Sequence, residues 1–271
     1  MTDELRPAST VMVLRDNPTT GLEVLMLRRS KDAAFVASTY VFPGGSLDAE
    51  DEALVADGLV RSGADLAAHM PDEPRAAALG VAAVREAFEE AGVLLGAQVS
   101  LGADRLGELR QRLLAGTIGF REVVRAVEGI DVAVLGYVAH WVTPAGSPRR
   151  FDTRFFVAAA PSDQDASADA GEVTEARWLA PSQALRDHEA GALPMVPPTV
   201  ANVTFLADVG SVAEALARAR ALERVPRIEP RLWRDGDVVR ILLPGDPRYG
   251  LVEPTRLAPG ETLPVESAGE P

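Results

Sequence analysis

Short apolar runs rich in branched residues open the chain. TVMVLR (10–15) and LEVLMLR (22–28) flank the turn text DNPTTG, and this pattern predicts two paired strands. TYVFPGGSLDAEDE then reads as a strand end running into a glycine turn. Residues 52–72 are acidic and only loosely helical, and MPDEP marks a boundary. From Asp72 or Glu73 to Ala91 the spacing predicts a helix, with Pro74 in its first turn and Gly92 as its C-cap. Residues 104–115 and 120–128 read as two amphipathic helices. VLGYVAHWVTP, RRFDTRFFVAAAP and EARWLAP read as strands, with PSDQDASADAGE (161–172) a polar loop before the last. PSQALRDHEAG, LPMVPPTVANVTFLADVG and VAEALARARALE read as helices. A hairpin turned at Asp235–Gly236 is predicted to close the fold, followed by a loose tail over 246–271.

An apolar fraction of 47% over 271 residues is enough for a sizeable core. No run of eighteen apolar residues and no signal-peptide pattern occurs, so a chain that neither spans nor binds a membrane, working in the cytoplasm, is expected. The chain has no cysteine, which excludes disulfides, zinc–thiolate sites and cysteine nucleophiles. A net charge of −13 argues against a nucleic-acid partner. The same charge would repel an anionic substrate unless divalent cations inverted the local field.

The most informative stretch is AAVREAFEEAGVLLG (82–96). Glu86, Glu89 and Glu90 stand at i, i+3 and i+4, so one helix face carries three carboxylates about 5–6 Å apart. Leucine and valine follow where lysine would relieve a solvated acidic face. Hard cations such as Mg²⁺ take oxygen ligands of this kind. On residue types alone, the plain reading of a solvated acidic face carries the greater weight.

REAFEEAGV matches R-E-U-x-E-E-x-G-U, the second half of the Nudix box, and FPGGSLDAED (42–51) resembles its first half, G-x5-E. Six positions after Gly45 stands Asp51 where glutamate is usual, and the arginine falls at 85 instead of 59, so an insertion over about 52–77 splits the box. RRFDTRFFVA, GEVTEARWLAPSQAL and PPTVANVTFLA are similar to the matching stretches of the Nudix branch that includes peroxisomal coenzyme A diphosphatases. Upstream, Arg29–Ser30 and Phe42–Gly45 fit the branch pattern R-S-x3-R-x3-G-x3-F-P-G-G, with Ala34 and Ser38 replacing its middle arginine and glycine.

The resemblance implies an α/β Nudix fold in residues 1–245: a mixed β-sheet sandwiched between α-helices, helical insertions at about 52–77 and 104–130, and a C-terminal β-hairpin. It implies a diphosphatase that uses Mg²⁺ or Mn²⁺ on coenzyme A or an acyl-coenzyme A, giving a phosphopantetheine and adenosine 3′,5′-bisphosphate. Glu86, Glu89 and Glu90 would be the metal carboxylates. Arg85 would pair with an acid of the glycine loop and hold them. Gly44 and Gly45 would let the backbone turn beside the substrate. Glu172 would act as a further ligand or the base, with Glu175 and Asp169 as weaker alternatives. Arg29, with Arg28 and Lys31, would meet a substrate phosphate. His69, His140 and His188 fit no metal spacing and read as structural. Two rival readings stay open: a Nudix hydrolase of ADP-ribose or a dinucleotide, and a catalytically silent nucleotide-binding module. A homodimer is expected from the family's habit.

Overall fold

The computed structural model describes residues 4–30, 38–169, 171–236, 238–251, 253 and 255–257. Ala34 and Lys31 lie outside the described residues, as does most of the 246–271 tail. The strands are β1 (Leu5–Asn17), β2 (Gly21–Arg29), β3 (Tyr40–Val41), β4 (Gly44–Ser46), β5 (Val60–Arg61), β6 (Ile130–Asp131), β7 (Gly136–Val142), β8 (Arg150–Ala159), β9 (Val173–Leu179), β10 (Arg227–Ile228), β11 (Arg231–Asp235) and β12 (Val238–Leu242). The helices are α1 (Ala49–Ala56), α2 (Gly63–Ala68), α3 (Ala76–Ala91), α4 (Ala103–Leu114), α5 (Phe120–Ala126), α6 (Pro181–Glu189), α7 (Pro197–Leu206) and α8 (Val212–Arg220).

One mixed sheet runs β10-β7-β8-β1-β2-β3, with β4 also on β1 and β9 also on β2. β1 is parallel to β8 and antiparallel to β2. A strand covered on one face alternates, but VMVL (11–14) in β1 is apolar throughout because both faces are covered. Val11 and Val13 pack with Leu79, Val84 and Phe88 of α3. Met12 and Leu14 pack on the opposite side with Val203 and Leu206 of α7 and Ala215 of α8. The helix–sheet–helix layering follows directly from that alternation.

The stretch between β4 and α3 is not merely loose helix, since it contains α1, β5 and α2. It is tied to the stretch after α3. β5 pairs in parallel with β6, and the Glu50 carboxylate accepts the Phe120 N–H at 2.9 Å, at the start of α5. α3 begins at Ala76, later than the sequence predicts, and Pro74 lies in the preceding turn. Glu73 accounts for the late start. Its carboxylate is held by Arg154 of β8 at 2.5 Å and accepts the Arg75 N–H at 3.1 Å, which keeps 73–75 out of the helix. The predicted hairpin is present, β11 on β12, but Asp235 is itself paired with Val238, so the turn begins at Gly236, one residue later than the turn text predicts. Among the described residues no helix is long and apolar enough to cross a membrane.

Candidate active site

α3 is buried on most of its surface, and Gly92 ends it with φ 72°, in the left-handed region that glycine adopts freely. Glu86, Glu89 and Glu90 lie in its last two turns. Arg85, on the same helix, is only 11% exposed and satisfies its whole guanidinium locally. Its Nε donates to Asp51 Oδ1 at 3.0 Å and its Nη2 to Asp51 Oδ2 at 3.1 Å. Nη1 donates to Glu86 at 2.7 Å and Glu89 at 3.2 Å, and Nη2 also donates to the Ser46 carbonyl at 2.9 Å. The acid expected to partner Arg85 is therefore Asp51, the residue standing where the box has glutamate. Asp51 is fully buried and also accepts the Asp48 N–H at 2.8 Å, so one carboxylate caps α1 and holds Arg85. The cluster is also less bare of counter-charge than its spacing suggests, because Arg85 reaches two of its three carboxylates.

The glycines act differently from the expected tight turn. Neither Gly44 nor Gly45 has positive φ, and both lie in β4 on the edge of β1. What excludes a side chain is crowding: a Cβ on Gly44 would strike Thr10 and the Ser9 carbonyl, and one on Gly45 would strike the Glu86 carboxylate. Glycine spacing in a sequence does not separate a torsional need from a contact need.

Glu90 is 3% exposed. Its Oε2 accepts the Gly44 N–H at 3.0 Å, while Oε1 has no hydrogen-bond partner among the described residues. Burial, reinforced by Glu86, pushes its carboxyl well above the usual carboxylate range. Burial likewise raises Glu86 to about 7 despite the opposing Arg85, with Glu89 and Glu172 adding to the rise. Glu89 is raised for the same leading reason, with Arg85 opposing. The charges are thus held in a dry place that disfavours them. An orphaned buried oxygen within an all-carboxylate donor set fits a hard divalent cation. Among the described residues no three acidic, imidazole or thiol side chains stand assembled to hold a metal ion, so the three glutamates do not form a ready-made cage.

Glu86, Gly44, Gly45, Arg29 and Glu172 line one cavity of about 610 Å³. Arg29 Nε is buried there without a hydrogen-bond partner among the described residues. Arg28 instead places its guanidinium 6.0 Å from the Tyr40 ring. Ser38 has φ 61°, in the left-handed region that favours glycine, at the position where the upstream motif carries glycine. Glu172 sits on the loop before β9, and its charge acts on all three box glutamates. The two weaker alternatives are otherwise engaged. Glu175 accepts the Tyr40 hydroxyl at 2.8 Å, and Asp169 accepts the N–H groups of Gly171, Glu172 and Val173, shaping the loop that carries Glu172. The histidines are bound into the fold: His140 to Asp152 at 2.5 Å, His69 to the Asp65 carbonyl and His188 to the Leu193 carbonyl.

Two features escape sequence reading. Arg110 of α4 donates through Nε and Nη2 to the Glu89 carbonyl at 3.0 and 2.9 Å, and through Nη1 and Nη2 to Ser167 at 2.9 and 3.0 Å. It fastens the C-terminus of α3 to the Glu172 loop, and its only signal in the sequence is a cation on an otherwise amphipathic helix. The second is the far wall of the cavity, where Trp141, Phe151, Val196, Pro197, Pro230 and Ile241 converge from four separate elements.

Residues 60–206 match the family model described as the NUDT19 Nudix domain. The chain is 29% identical over 287 aligned residues to the human acyl-coenzyme A diphosphatase NUDT19, covering 90% of this chain and 76% of that protein. It is 30% identical over 192 residues to putative nudix hydrolase 7 of Caenorhabditis elegans, covering 69% of this chain and 56% of that one. A crystal structure of a NUDIX hydrolase from Alicyclobacillus acidocaldarius superposes with a TM-score of 0.64 at 26% identity, over 79% of this chain and 96% of that one.

Proposed function

Because the chain belongs to the Nudix hydrolases through a NUDT19-type Nudix domain, we propose that it hydrolyses the diphosphate of coenzyme A or its acyl esters with Mg²⁺ or Mn²⁺. The observation that carries the metal reading is the buried pair formed by Glu90 and Gly44. Glu90 Oε1 is left without a hydrogen-bond partner among the described residues. Glu86, Glu89 and Glu90 would hold the ion. When bound, such an ion supplies positive charge for phosphate oxygens and makes water a better nucleophile at neutral pH.

The protein's own part is positioning, which is most of what phosphoryl transfer asks of it. Arg85 fixes Glu86 and Glu89 through two hydrogen bonds and is itself fixed by Asp51. Gly45 lets a substrate phosphate approach the Glu86 carboxylate, where any side chain would stand in the way. Arg29 would offer a phosphate oxygen its buried Nε, which has no hydrogen-bond partner among the described residues. Glu172 lines the same space from the loop before β9 and would take a proton from the attacking water or complete the metal set. The coenzyme A assignment is supported by the names of the relatives and by the Arg29–Ser30 and Phe42–Gly45 spacing. The products would be a phosphopantetheine, acylated or free, and adenosine 3′,5′-bisphosphate.

A panel of coenzyme A, octanoyl-coenzyme A, ADP-ribose and diadenosine diphosphate, each with Mg²⁺ and with Mn²⁺, tests this by mass spectrometry of the products. Turnover of the first two, abolished by excess chelator and restored by metal, is expected. Preference for ADP-ribose, or full activity in chelator, would overturn the assignment or the metal reading respectively.

A further inference from the structure

The cavity shared by Glu86, Arg29 and Glu172 is also lined by Arg149, on the turn between β7 and β8. We infer that Arg149 reads a second anionic group of the substrate, remote from the diphosphate at Glu86. That group is a phosphomonoester on the nucleoside or a carboxylate on the other arm. The inference rests on the diphosphatase reading and names a substrate feature that reading leaves open.

The sheet supplies a ruler between the two residues. The Glu86 carboxylate lies against Gly45, where a Cβ would stand. Gly45 of β4 is in register with Ser9 of β1, and Ser9 with Arg154 of β8. Those two strand spacings cover about 10 Å, and the chain from Arg154 back to Arg149 covers about 16 Å, so the backbones of Gly45 and Arg149 stand about 19 Å apart. An arginine side chain shortens that gap but does not bring Arg149 onto a diphosphate held at Glu86. Arg29 is placed differently. The N–H of the next residue, Ser30, donates to the Glu172 carbonyl at 2.9 Å, which sets Arg29 beside the Glu172 loop.

Arg149 is held by its backbone and not by its head group. Pro148, just before it, has a fixed φ. Arg150, just after it, is 8% exposed, with Nε on the Thr143 carbonyl at 3.1 Å and Nη2 on Glu229 at 2.6 Å. The Phe151 N–H donates to Thr143 Oγ1 at 3.0 Å, and the Leu257 N–H to the Gly146 carbonyl at 3.2 Å. Arg149 itself is exposed, and its guanidinium makes no hydrogen bond or ion pair among the described residues. A fork of donors on a fixed mount suits the paired oxygens of a carboxylate or phosphate. In a chain of net charge −13 it also favours the approach of an anion that the rest of the protein repels.

Two ligand pairs without a diphosphate test this apart from turnover. They are adenosine 3′,5′-bisphosphate against adenosine 5′-monophosphate, and S-succinyl- against S-butyryl-4′-phosphopantetheine. Within each pair the members differ by one anionic group. Calorimetric titration of the full chain with Mg²⁺ should show, in at least one pair, the member with the extra anion binding at least about tenfold more tightly. The pair that discriminates identifies the source of the anion. Arg149→Ala should bring that ratio below about threefold. Arg149→Lys, which keeps the charge and loses the fork, should give an intermediate ratio. Arg149 is exposed and holds no partner among the described residues, so both variants should fold. No binding of any ligand, equal affinities within both pairs, or a ratio that survives Arg149→Ala would overturn the inference and leave Arg149 a solvated loop residue. Failure of coenzyme A turnover with the Arg149-dependent ratio intact would instead overturn the proposed reaction.

Discussion

Arg85 and Asp51, 34 residues apart in sequence, meet in a two-pronged ion pair at 3.0 and 3.1 Å, with the aspartate wholly buried. The arginine belongs to the helix that carries the glutamates, and the aspartate to the first turn of α1, on the far side of the box insertion. Asp51→Asn leaves a buried guanidinium without its main counter-charge. A loss of about 3 kcal/mol is expected, the usual cost of removing one partner of a buried pair. Urea denaturation checks this. The midpoint should fall with the slope unchanged, and activity should drop as Glu86 and Glu89 lose their fixed donor.

Arg110 joins the Glu89 carbonyl to Ser167, and so joins α3 to the loop that carries Glu172. It touches no reacting atom in the proposed reaction and acts by position. Arg110→Ala should lower kcat about tenfold while KM changes little, at a temperature where the variant is fully folded, about 1.4 kcal/mol in the barrier. Arg110→Lys, which supplies one donor in place of a fork, should recover part of the loss. A variant that loses thermal stability while keeping wild-type kcat would reduce Arg110 to a structural tie.

Away from the cavity, Asp152 binds His140 at 2.5 Å and Arg154 at 2.8 Å, and Arg154 binds Glu73 at 2.5 Å, at the entry to α3. Burial works to raise the Asp152 carboxyl, but the hydrogen bonds from His140 and Arg154 outweigh it and hold it at about 2. The folded value lies below the unfolded one, so the stabilisation is complete above about pH 4 and is lost as pH falls toward 2. The difference in Tm between wild type and Asp152→Asn should therefore be flat from pH 7 to 5 and shrink at lower pH. A difference that stays constant to pH 3 would place the effect in packing and not in charge.

The body of α3 is legible in the sequence because helical spacing and a terminal glycine are local facts, and Gly92 takes the predicted left-handed C-cap. Asp51 is legible through its fixed offset from Gly45. The start of α3 is not, because Glu73 is drawn out of the helix by Arg154, a partner 81 residues away. Arg110 and Ile241 are illegible for the same reason: each matters only through what the fold brings beside it. Gly44 and Gly45 were readable as essential but not as to cause, since neighbours and not torsions exclude a side chain.

Glu90 is the residue that best separates a metal site from a buried acidic face. Its Oε2 holds the Gly44 N–H and its Oε1 has no partner among the described residues, in a place where burial and Glu86 already oppose ionisation. Glu90→Gln keeps the size and leaves an oxygen to accept from Gly44, but removes the charge a divalent cation needs. The fold should survive, because among the described residues Glu90 makes no direct ion pair and its like-charge contact with Glu86 is relieved. Without metal the Tm should hold or rise. With Mg²⁺ the wild type should gain stability in proportion to its occupancy, and the variant should gain less. Turnover should fall at least about 10²-fold, roughly 2.7 kcal/mol of transition-state stabilisation. Near wild-type kcat together with an undiminished Mg²⁺-dependent gain in Tm would show that Glu90 does not hold the ion, and the proposed metal set would lose its most buried member.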